Sequence, residues 1–328
     1  MISDNRIEEI CNAVLDGTYA VDDILGERHT VVGIVEVING NPNGDPAADN
    51  VPRTDIVDGH GIISNMCIKR KSRDTIKVRH GDKPGYELYC ERGSNVKNLQ
   101  DSIRTNVKSI FDAVCKSRGM STKETNEAWS AKKHDYQKDI LLAVVSESFV
   151  DVRMFGCVLS SLVREGSANI PVQVKGPTQV CDAKSFDVVA IDQRTISVTF
   201  GNKDDLDRNF AAKSVVPYGL YMFHADVSPI VARNTHMTNA DMSVFLDSLK
   251  WMFELDQSAS RGEQNLIALW DFKHGGDEAA FGAQPRRELL KSIRVRKLCD
   301  GIPTCLDDYD ISFDESVLCD EVSVTRLV

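Results

Sequence analysis

The chain has 328 residues, of which 42% are hydrophobic and 27% charged, and its formal net charge is −10. This composition is typical of a folded protein with one large domain or two ordinary ones, and it excludes global disorder. The acidic balance disfavours non-specific wrapping of nucleic acid, but screening within about 8–10 Å at physiological salt permits a local basic groove.

The first predicted elements in chain order are a short helix and a strand. The helix lies in a polar N-terminal extension, residues 1–28, where four apolar residues recur at helical spacing: Ile7, Ile10, Cys11 and Val14. Residues 30–38, TVVGIVEVI, are apolar on both faces, which is typical of a central strand. Pro42 and Pro46 lack amide donors and end this strand.

Helices and further strands alternate along the rest of the chain. Helical patterns begin at Ile62, span 96–114, run into 141–145 and restart at Thr238, where Thr238-x-x-Asp241 is shaped like a capping box. Alternation over 186–200 and the later runs IALWDF and SIRVRKL predict strands. This interleaving, with no evident linker, favours a single α+β domain over residues 29–328, carrying insertions.

The densest positive charge follows Ile62 and consists of Lys69, Arg70, Lys71 and Arg73. Two interpretations stay open on composition alone. Basic residues in a last helical turn offset the negative helix terminus, and a basic cluster on an acidic chain also favours phosphate binding. The first interpretation accounts less well for the continuation of the run to Lys77, Arg79 and His80.

The loop before this helix, NPNGDP at 41–46, is typical of tight turns, and amides beside Gly44 can also cradle a phosphate. Asp45 is a lone carboxylate. A His such as His60, which lies between two glycines, is more often a hydrogen-bonding loop residue than a general base.

No Walker, G-x-G-x-x-G, H-E-x-x-H or G-x-S-x-G motif occurs. We therefore expect no cofactor and no metal. Nine scattered cysteines without a C-x-x-C pair indicate reduced thiols and a cytoplasmic protein.

Eight segments, taken together and in this order, resemble the Cas-seven family, the backbone subunit of type I CRISPR surveillance complexes (Cascade), in its type I-C form. The resemblance spans about residues 31–295, and the segments read NPNGDP, PRTD, GHGIISNMCIKRKSRD, DVRMFG, KGPTQ, VPYGLY, FELDQSASRG and FKH. The extension 1–28, the loop 164–174 and the short thumb described below depart from the family's pattern.

The resemblance implies an RRM-like (ferredoxin-like) palm sheet with a helical finger insertion at about 80–150 and a β-hairpin thumb at about 201–215. It also implies a non-catalytic subunit in antiviral defence, whose copies form a helical filament along one CRISPR guide RNA. Each copy grips the RNA backbone without reading bases, and the thumb flips out one base at regular intervals. Target DNA pairs with the remaining bases. The implied partners are guide RNA, target DNA, further copies of the chain and other Cascade subunits, with no membrane.

The resemblance also carries over a set of RNA-binding positions. In the loop and basic helix they are Asn41, Asn43, Asp45, Arg53, His60, Lys69, Arg70, Lys71 and Arg73. In later loops and the thumb they are Arg153, Lys175, Gln179, Phe210 and Lys213, with Phe210 as the base-unstacking wedge.

Two other functions stay open. Backbone subunits of related type III complexes cut target RNA with a loop aspartate, for which Asp45 and Asp55 are the candidates here. A self-assembling structural protein would instead need no nucleic acid.

Overall fold

The structure is a computed structural model that describes residues 1–130, 136–197 and 210–328. Within these residues the chain forms nine α-helices: α1 (Asp4–Leu15), α2 (Asn65–His80), α3 (Val96–Ser117), α4 (Thr122–Trp129), α5 (Tyr136–Ser148), α6 (Val150–Phe155), α7 (Pro229–Thr235), α8 (Asn239–Leu255) and α9 (Arg286–Leu290). The same residues form fourteen β-strands: β1 (His29–Gly40), β2 (Gly44–Asp45), β3 (Val51–Pro52), β4 (His60–Ile63), β5 (Gly156–Glu165), β6 (Ala168–Lys175), β7 (Thr178–Val180), β8 (Ala183–Val188), β9 (Asp192–Ser197), β10 (Phe210–Val227), β11 (Glu263–His274), β12 (Ile293–Lys297), β13 (Tyr309–Phe313) and β14 (Val322–Arg326).

The chain divides into two compact units. The first unit consists of Met1–Gly26, Ile76–Gln179 and Ser228–Leu246. The second unit consists of Glu27–Thr75, Val180–Val227 and Asp247–Val328.

The first unit is built around the amphipathic helix α3. Asn95 caps this helix by accepting a hydrogen bond from the amide of Asn98 at 3.1 Å, which confirms the helix predicted for 96–114. The helix buries one face in an apolar core that also contains α1, α4, α5 and β5, with members such as Ile7, Ile10, Val107, Phe111, Trp129 and Leu141. Residues 1–26 thus contribute a packed helix to this unit. The predicted loop 164–174 belongs to a hairpin, because β5 and β6 pair antiparallel from Gly156↔Lys175 to Glu165↔Ala168.

The second unit contains an antiparallel sheet with the strand order β14-β11-β1-β10-β8-β4. Strand β1 lies between β10 and β11, and its residues His29–Val37 are buried, which confirms the central strand predicted there. One face of the sheet packs on the β12–β13 hairpin through a core that includes Val32, Leu220, Trp270, Phe272, Ile293 and Tyr309. The mixed architecture with an antiparallel sheet agrees with the α+β class expected from the sequence.

The start of the basic helix differs from the prediction. Residues His60–Ile63 form β4, and α2 begins only at Asn65. Ser64 ends the strand and caps the helix, since its hydroxyl accepts from the amide of Cys67 at 3.3 Å and its carbonyl accepts from the amide of Ile68 at 3.1 Å. Residues 60–63 therefore follow the strand pairing with β8 rather than the helical pattern read from Ile62.

Most of the predicted thumb, 201–209, lies outside the described residues. The strands on either side of this segment pair antiparallel from Val215↔Asp192 to Phe210↔Ser197. The backbone of Phe210 belongs to β10, but its side chain is outside the described part of the chain. The wedge assigned to Phe210 therefore stays a prediction. None of the helices in the described ranges has the length and apolar character needed to cross a membrane.

Candidate nucleic-acid interface

The loop after β1 and the start of α2 are joined by hydrogen bonds within the second unit. The amide oxygen of Asn43 accepts from the backbone amide of Ser64 at 2.9 Å, and the carbonyl of Asn43 accepts from the amide of Arg53 at 3.1 Å. The thiol of Cys67 points to the carbonyl of Pro42 at 3.7 Å. The structure thus brings together the two segments that carry most of the predicted site, and it gives Asn43 an anchoring role.

Asp45 and Arg53 form an ion pair inside this loop. One carboxylate oxygen of Asp45 accepts from the amide of Ala47 at 3.1 Å and from the guanidinium of Arg53 at 3.2 Å, with about a third of each side chain exposed. Asp45 therefore caps the short turn Pro46–Ala48 and orients Arg53. Asn41 is buried, and its side chain donates to the carbonyl of Asn50 at 2.5 Å.

His60 lies in β4, where its ring Nδ1 hydrogen-bonds the backbone carbonyl of Ser185 at 2.7 Å. This contact agrees with the interpretation of His60 as a hydrogen-bonding residue, although the residue belongs to a strand rather than a loop.

The basic residues of α2 differ in burial: Lys71 is buried, whereas Lys77 and Arg79 in the last turns are exposed. Lys71 is only 1% exposed, and its ammonium contacts the carboxylate of Asp256, the side-chain oxygen of Gln264 at 3.3 Å and the ring of Phe253 at 5.3 Å. Burial lowers the pKa of this ammonium. The structure corrects the expectation of a phosphate contact at Lys71, because an ammonium enclosed by protein groups is not open to a ligand.

The remaining basic residues of this part of α2 are less enclosed. Lys69 and Arg73 are half-buried, and burial together with the neighbouring charge of Arg73 lowers the pKa of Lys69. Arg70 donates to Asp74 at 2.5 Å and to Asp256 at 3.2 Å, with 32% of its side chain exposed. Within the run 69–73, these three side chains are the cations that α2 can offer to an anionic ligand.

A loop that we did not single out as a site borders the same surface. Residues 256–262 follow α8, and Arg261 donates to the carbonyl of Pro42 at 3.1 Å. Gly262 has a φ of +63°, and a Cβ there would lie 2.5 Å from the carbonyl oxygen of Asn39. Lys213, predicted in the thumb, donates to the carbonyl of Ala259 in this loop. The only sequence signal for the loop was its membership in the matched segment FELDQSASRG.

Arg153, Lys175 and Gln179 belong to the first unit. Arg153 is buried, and its guanidinium binds both oxygens of Asp241 at 2.8 Å and the carbonyls of Gly85 and Ser146 at 3.0 and 2.6 Å. The structure corrects its assignment as an RNA ligand, since protein groups occupy its donors. Lys175 and Gln179 are exposed, and Gln179 donates to the carbonyl of Gly176 at 2.8 Å.

The second candidate for an RNA-cutting aspartate, Asp55, is engaged by protein groups. Its carboxylate accepts from the amide of Val57 at 2.9 Å and from Lys184 at 2.9 Å, and these two contacts lower its pKa. In the parts of the chain that the structure describes, no group of three or more His, Cys, Asp or Glu residues could hold a metal ion.

The chain is similar in sequence to a family of known proteins. The model of the family "CRISPR-associated protein Cas7" matches residues 27–314. A protein of Haloferax volcanii named "CRISPR-associated protein Cas7" is 27% identical over 259 residues. This match covers 72% of the chain and 66% of the relative, so the chain spans just under two thirds of that protein's length.

Two solved structures show a weaker likeness. A chain of a "CRISPR RNA-guided surveillance complex, pre-nicking" is 15% identical, with a TM-score of 0.43, over 75% of this chain and 78% of that one. A chain of a "CRISPR RNA-guided surveillance complex" is 12% identical, with a TM-score of 0.41, over 75% of this chain and 69% of that one.

Proposed function

The chain belongs to the CRISPR-associated Cas7 family, and we propose that it is a non-catalytic guide-RNA-binding backbone subunit of a surveillance complex, of the type I-C form. In this proposal, several copies form a helical filament along one guide RNA in the cytoplasm and work with other Cascade subunits. The guide bases stay available to pair with target DNA, as antiviral defence requires.

The observation that carries the proposal is the joined surface of the second unit. The loop 41–53 is hydrogen-bonded to the first turn of α2, so that Arg53 and the half-buried cations Lys69, Arg70 and Arg73 belong to one hydrogen-bonded assembly. Lysine and arginine side chains bind phosphates, and such contacts do not discriminate between bases. A subunit that must accept any guide sequence needs this type of contact.

The strand order supports an RRM-like palm as part of the proposal. Strands β11, β1, β10 and β8 are neighbours in that order, and all of them pair antiparallel. In chain order, α2 lies between β1 and β8, and α8 lies between β10 and β11. Two crossovers of this kind suit a ferredoxin-like sheet. The pairing of β9 with β10 beside residues 198–209 likewise supports a thumb that projects from the palm.

Binding to two unrelated RNAs of guide length, measured by fluorescence anisotropy over a range of salt concentrations, tests the phosphate contacts. Each lost phosphate contact should flatten the log–log salt dependence by about 0.7 for a single strand. We expect Lys69→Ala/Arg73→Ala to weaken both RNAs equally and to reduce the slope by about 1.4. The matched control is Arg294→Ala/Arg296→Ala, which removes two exposed cations from β12 in the same unit. A loss confined to one RNA sequence, or an equal loss in the control, would contradict backbone recognition at α2.

Incubating the assembled complex with RNA complementary to the guide and Mg²⁺ tests the non-catalytic part of the proposal. We expect intact RNA. Regularly spaced cleavage that disappears in Asp45→Ala or Asp55→Ala would instead identify an RNA-guided ribonuclease.

A further inference from the structure

The carboxylate of Asp256 contacts three basic side chains at the proposed binding surface. Asp256 accepts hydrogen bonds from the guanidinium of Arg70 at 3.2 Å and from the ammonium of Lys71, and it forms an ion pair with the guanidinium of Arg261 at 3.1 Å. The side chain of Asp256 is 20% exposed, and those of Arg70 and Arg261 are 32% and 25% exposed. Arg70 also donates to Asp74 at 2.5 Å, so two carboxylates face three basic side chains and do not outweigh their positive charge at the partly open side of the cluster.

Lys71 holds this carboxylate from the inside of the protein. Its ammonium is enclosed by Phe253 and Gln264 and reaches no solvent, with the side chain 0% exposed. Gln264 in turn donates to the carbonyl of Arg261 at 3.1 Å. The buried ammonium of Lys71 therefore holds the carboxylate of Asp256 in place. The same carboxylate contacts the guanidinium groups of Arg70 and Arg261.

The same cluster is tied to the loop after β1. Besides its bond to Pro42, Arg261 donates to the carbonyl of Asn41 at 3.3 Å, and the amide of Asn41 donates to the carbonyl of Ser260 at 2.9 Å. The backbone of the 256–262 loop thus lies directly against the loop that carries Asp45 and Arg53. A change at Asp256 would disturb both the helix and the loop of the proposed interface.

Building on the proposed function, we propose that Asp256 is a positioning residue for the guide RNA. It holds Arg70 and Arg261 ready for the phosphates of the backbone, so their side chains need not be ordered when the RNA binds. Preorganisation of this kind raises affinity because it removes an entropic cost of association. The proposal also assigns Arg261 to the phosphate-binding residues.

The direction in which one substitution changes the affinity for RNA distinguishes a positioning role from a purely electrostatic one. Asp256→Asn removes a negative charge beside the ligand with almost no change in side-chain volume. If Asp256 acted only through its charge, the variant would bind the polyanionic RNA more tightly. If Asp256 positions the arginines, the variant binds more weakly, because three cations without a shared carboxylate repel one another and leave the observed geometry.

The experiment measures binding of a guide-length RNA to the full chain by fluorescence anisotropy across a salt series. We expect Asp256→Asn to bind at least 10-fold more weakly with a flatter salt dependence, and Asp256→Glu to recover part of the affinity. The control is Asp320→Asn, which removes an exposed negative charge of the same unit outside the proposed interface and should leave affinity unchanged or slightly higher. If Asp256→Asn does not fold, Lys71→Met/Asp256→Asn removes the buried pair together and should show the same loss of affinity.

The results overturn the two proposals separately. Equal or tighter binding by a folded Asp256→Asn variant, with the wild-type salt slope, overturns the positioning role and leaves guide binding in place. Failure of the wild-type chain to bind RNA of any sequence overturns the proposed function and the positioning role together.

Discussion

The buried ion pair of Arg153 and Asp241 leads to a prediction that separates a structural arginine from an RNA ligand. The side chains of Arg153 and Asp241 are 9% and 1% exposed. Besides binding both oxygens of Asp241, Arg153 donates to three backbone carbonyls of the first unit. Its substitution leaves a buried carboxylate and three backbone carbonyls without these donors.

Removing one partner of a buried, hydrogen-bonded ion pair costs about 3–5 kcal/mol of folding free energy. We therefore expect Arg153→Met to lower the free energy of unfolding by about that amount, a large share of the roughly 5–15 kcal/mol that stabilises a typical protein. Asp241 also accepts from the amide of Thr238 at 3.0 Å, which Asn can still do at this position. The double variant Arg153→Met/Asp241→Asn should thus recover part of the loss, because no uncompensated charge stays buried.

Urea denaturation followed by circular dichroism measures the loss, and RNA binding over a salt series measures any change in phosphate contacts. We expect a lower midpoint for Arg153→Met, partial recovery in the double variant and an unchanged salt slope in folded protein. A stability within about 1 kcal/mol of wild type, combined with a flatter salt slope, would refute this reasoning. Arg153 would then be the RNA ligand that the family resemblance implied.

Three further predictions follow from single contacts. Burial lowers the pKa of His274 in the folded state, so folding stability should fall as the pH drops below about 6.5, by up to about 1.4 kcal/mol per pH unit, and His274→Asn should reduce this slope in denaturation curves measured from pH 7 to 5. Gly262→Ala should lower the melting temperature, because its Cβ would lie 2.5 Å from the carbonyl of Asn39; an unchanged melting temperature would contradict the close approach. Lys69→Ala should flatten the salt dependence of RNA binding by about one contact, roughly 0.7, because Lys69 is a half-buried cation of α2; an unchanged slope would contradict a phosphate contact at Lys69.

Elements with strong periodicity were predictable from the sequence. The apolar run of β1, the three- and four-residue steps of α3 and the capping box at Thr238 all have the predicted structure, and the box closes through Asp241 with bonds of 3.0 and 3.1 Å. The boundary between β4 and α2 was not predictable from apolar spacing. Ile62 and Ile63 fit a helical face, but pairing with β8 and the cap at Ser64 determine the outcome.

The roles of individual charged side chains could not be predicted from the sequence either. Lys71 lies in the middle of a basic run, yet its partner Asp256 is 185 residues away, and Arg153 meets Asp241 across 88 residues. A charge run shows how many cations a helix carries but not which of them turn inward. The sequence therefore located the candidate surface at α2 and its preceding loop, while contacts made by the fold determine which side chains can reach a ligand.

Guide-dependent assembly is the most direct test of the proposed function. The measurement is size-exclusion chromatography with absorbance at 260 and 280 nm, on protein co-expressed with a CRISPR array, before and after RNase treatment. We predict a large species that contains RNA of one discrete length and that RNase converts to small species. Large assemblies that survive RNase and carry no nucleic acid, or a chain that stays monomeric and free of RNA in the presence of the guide, would contradict the account.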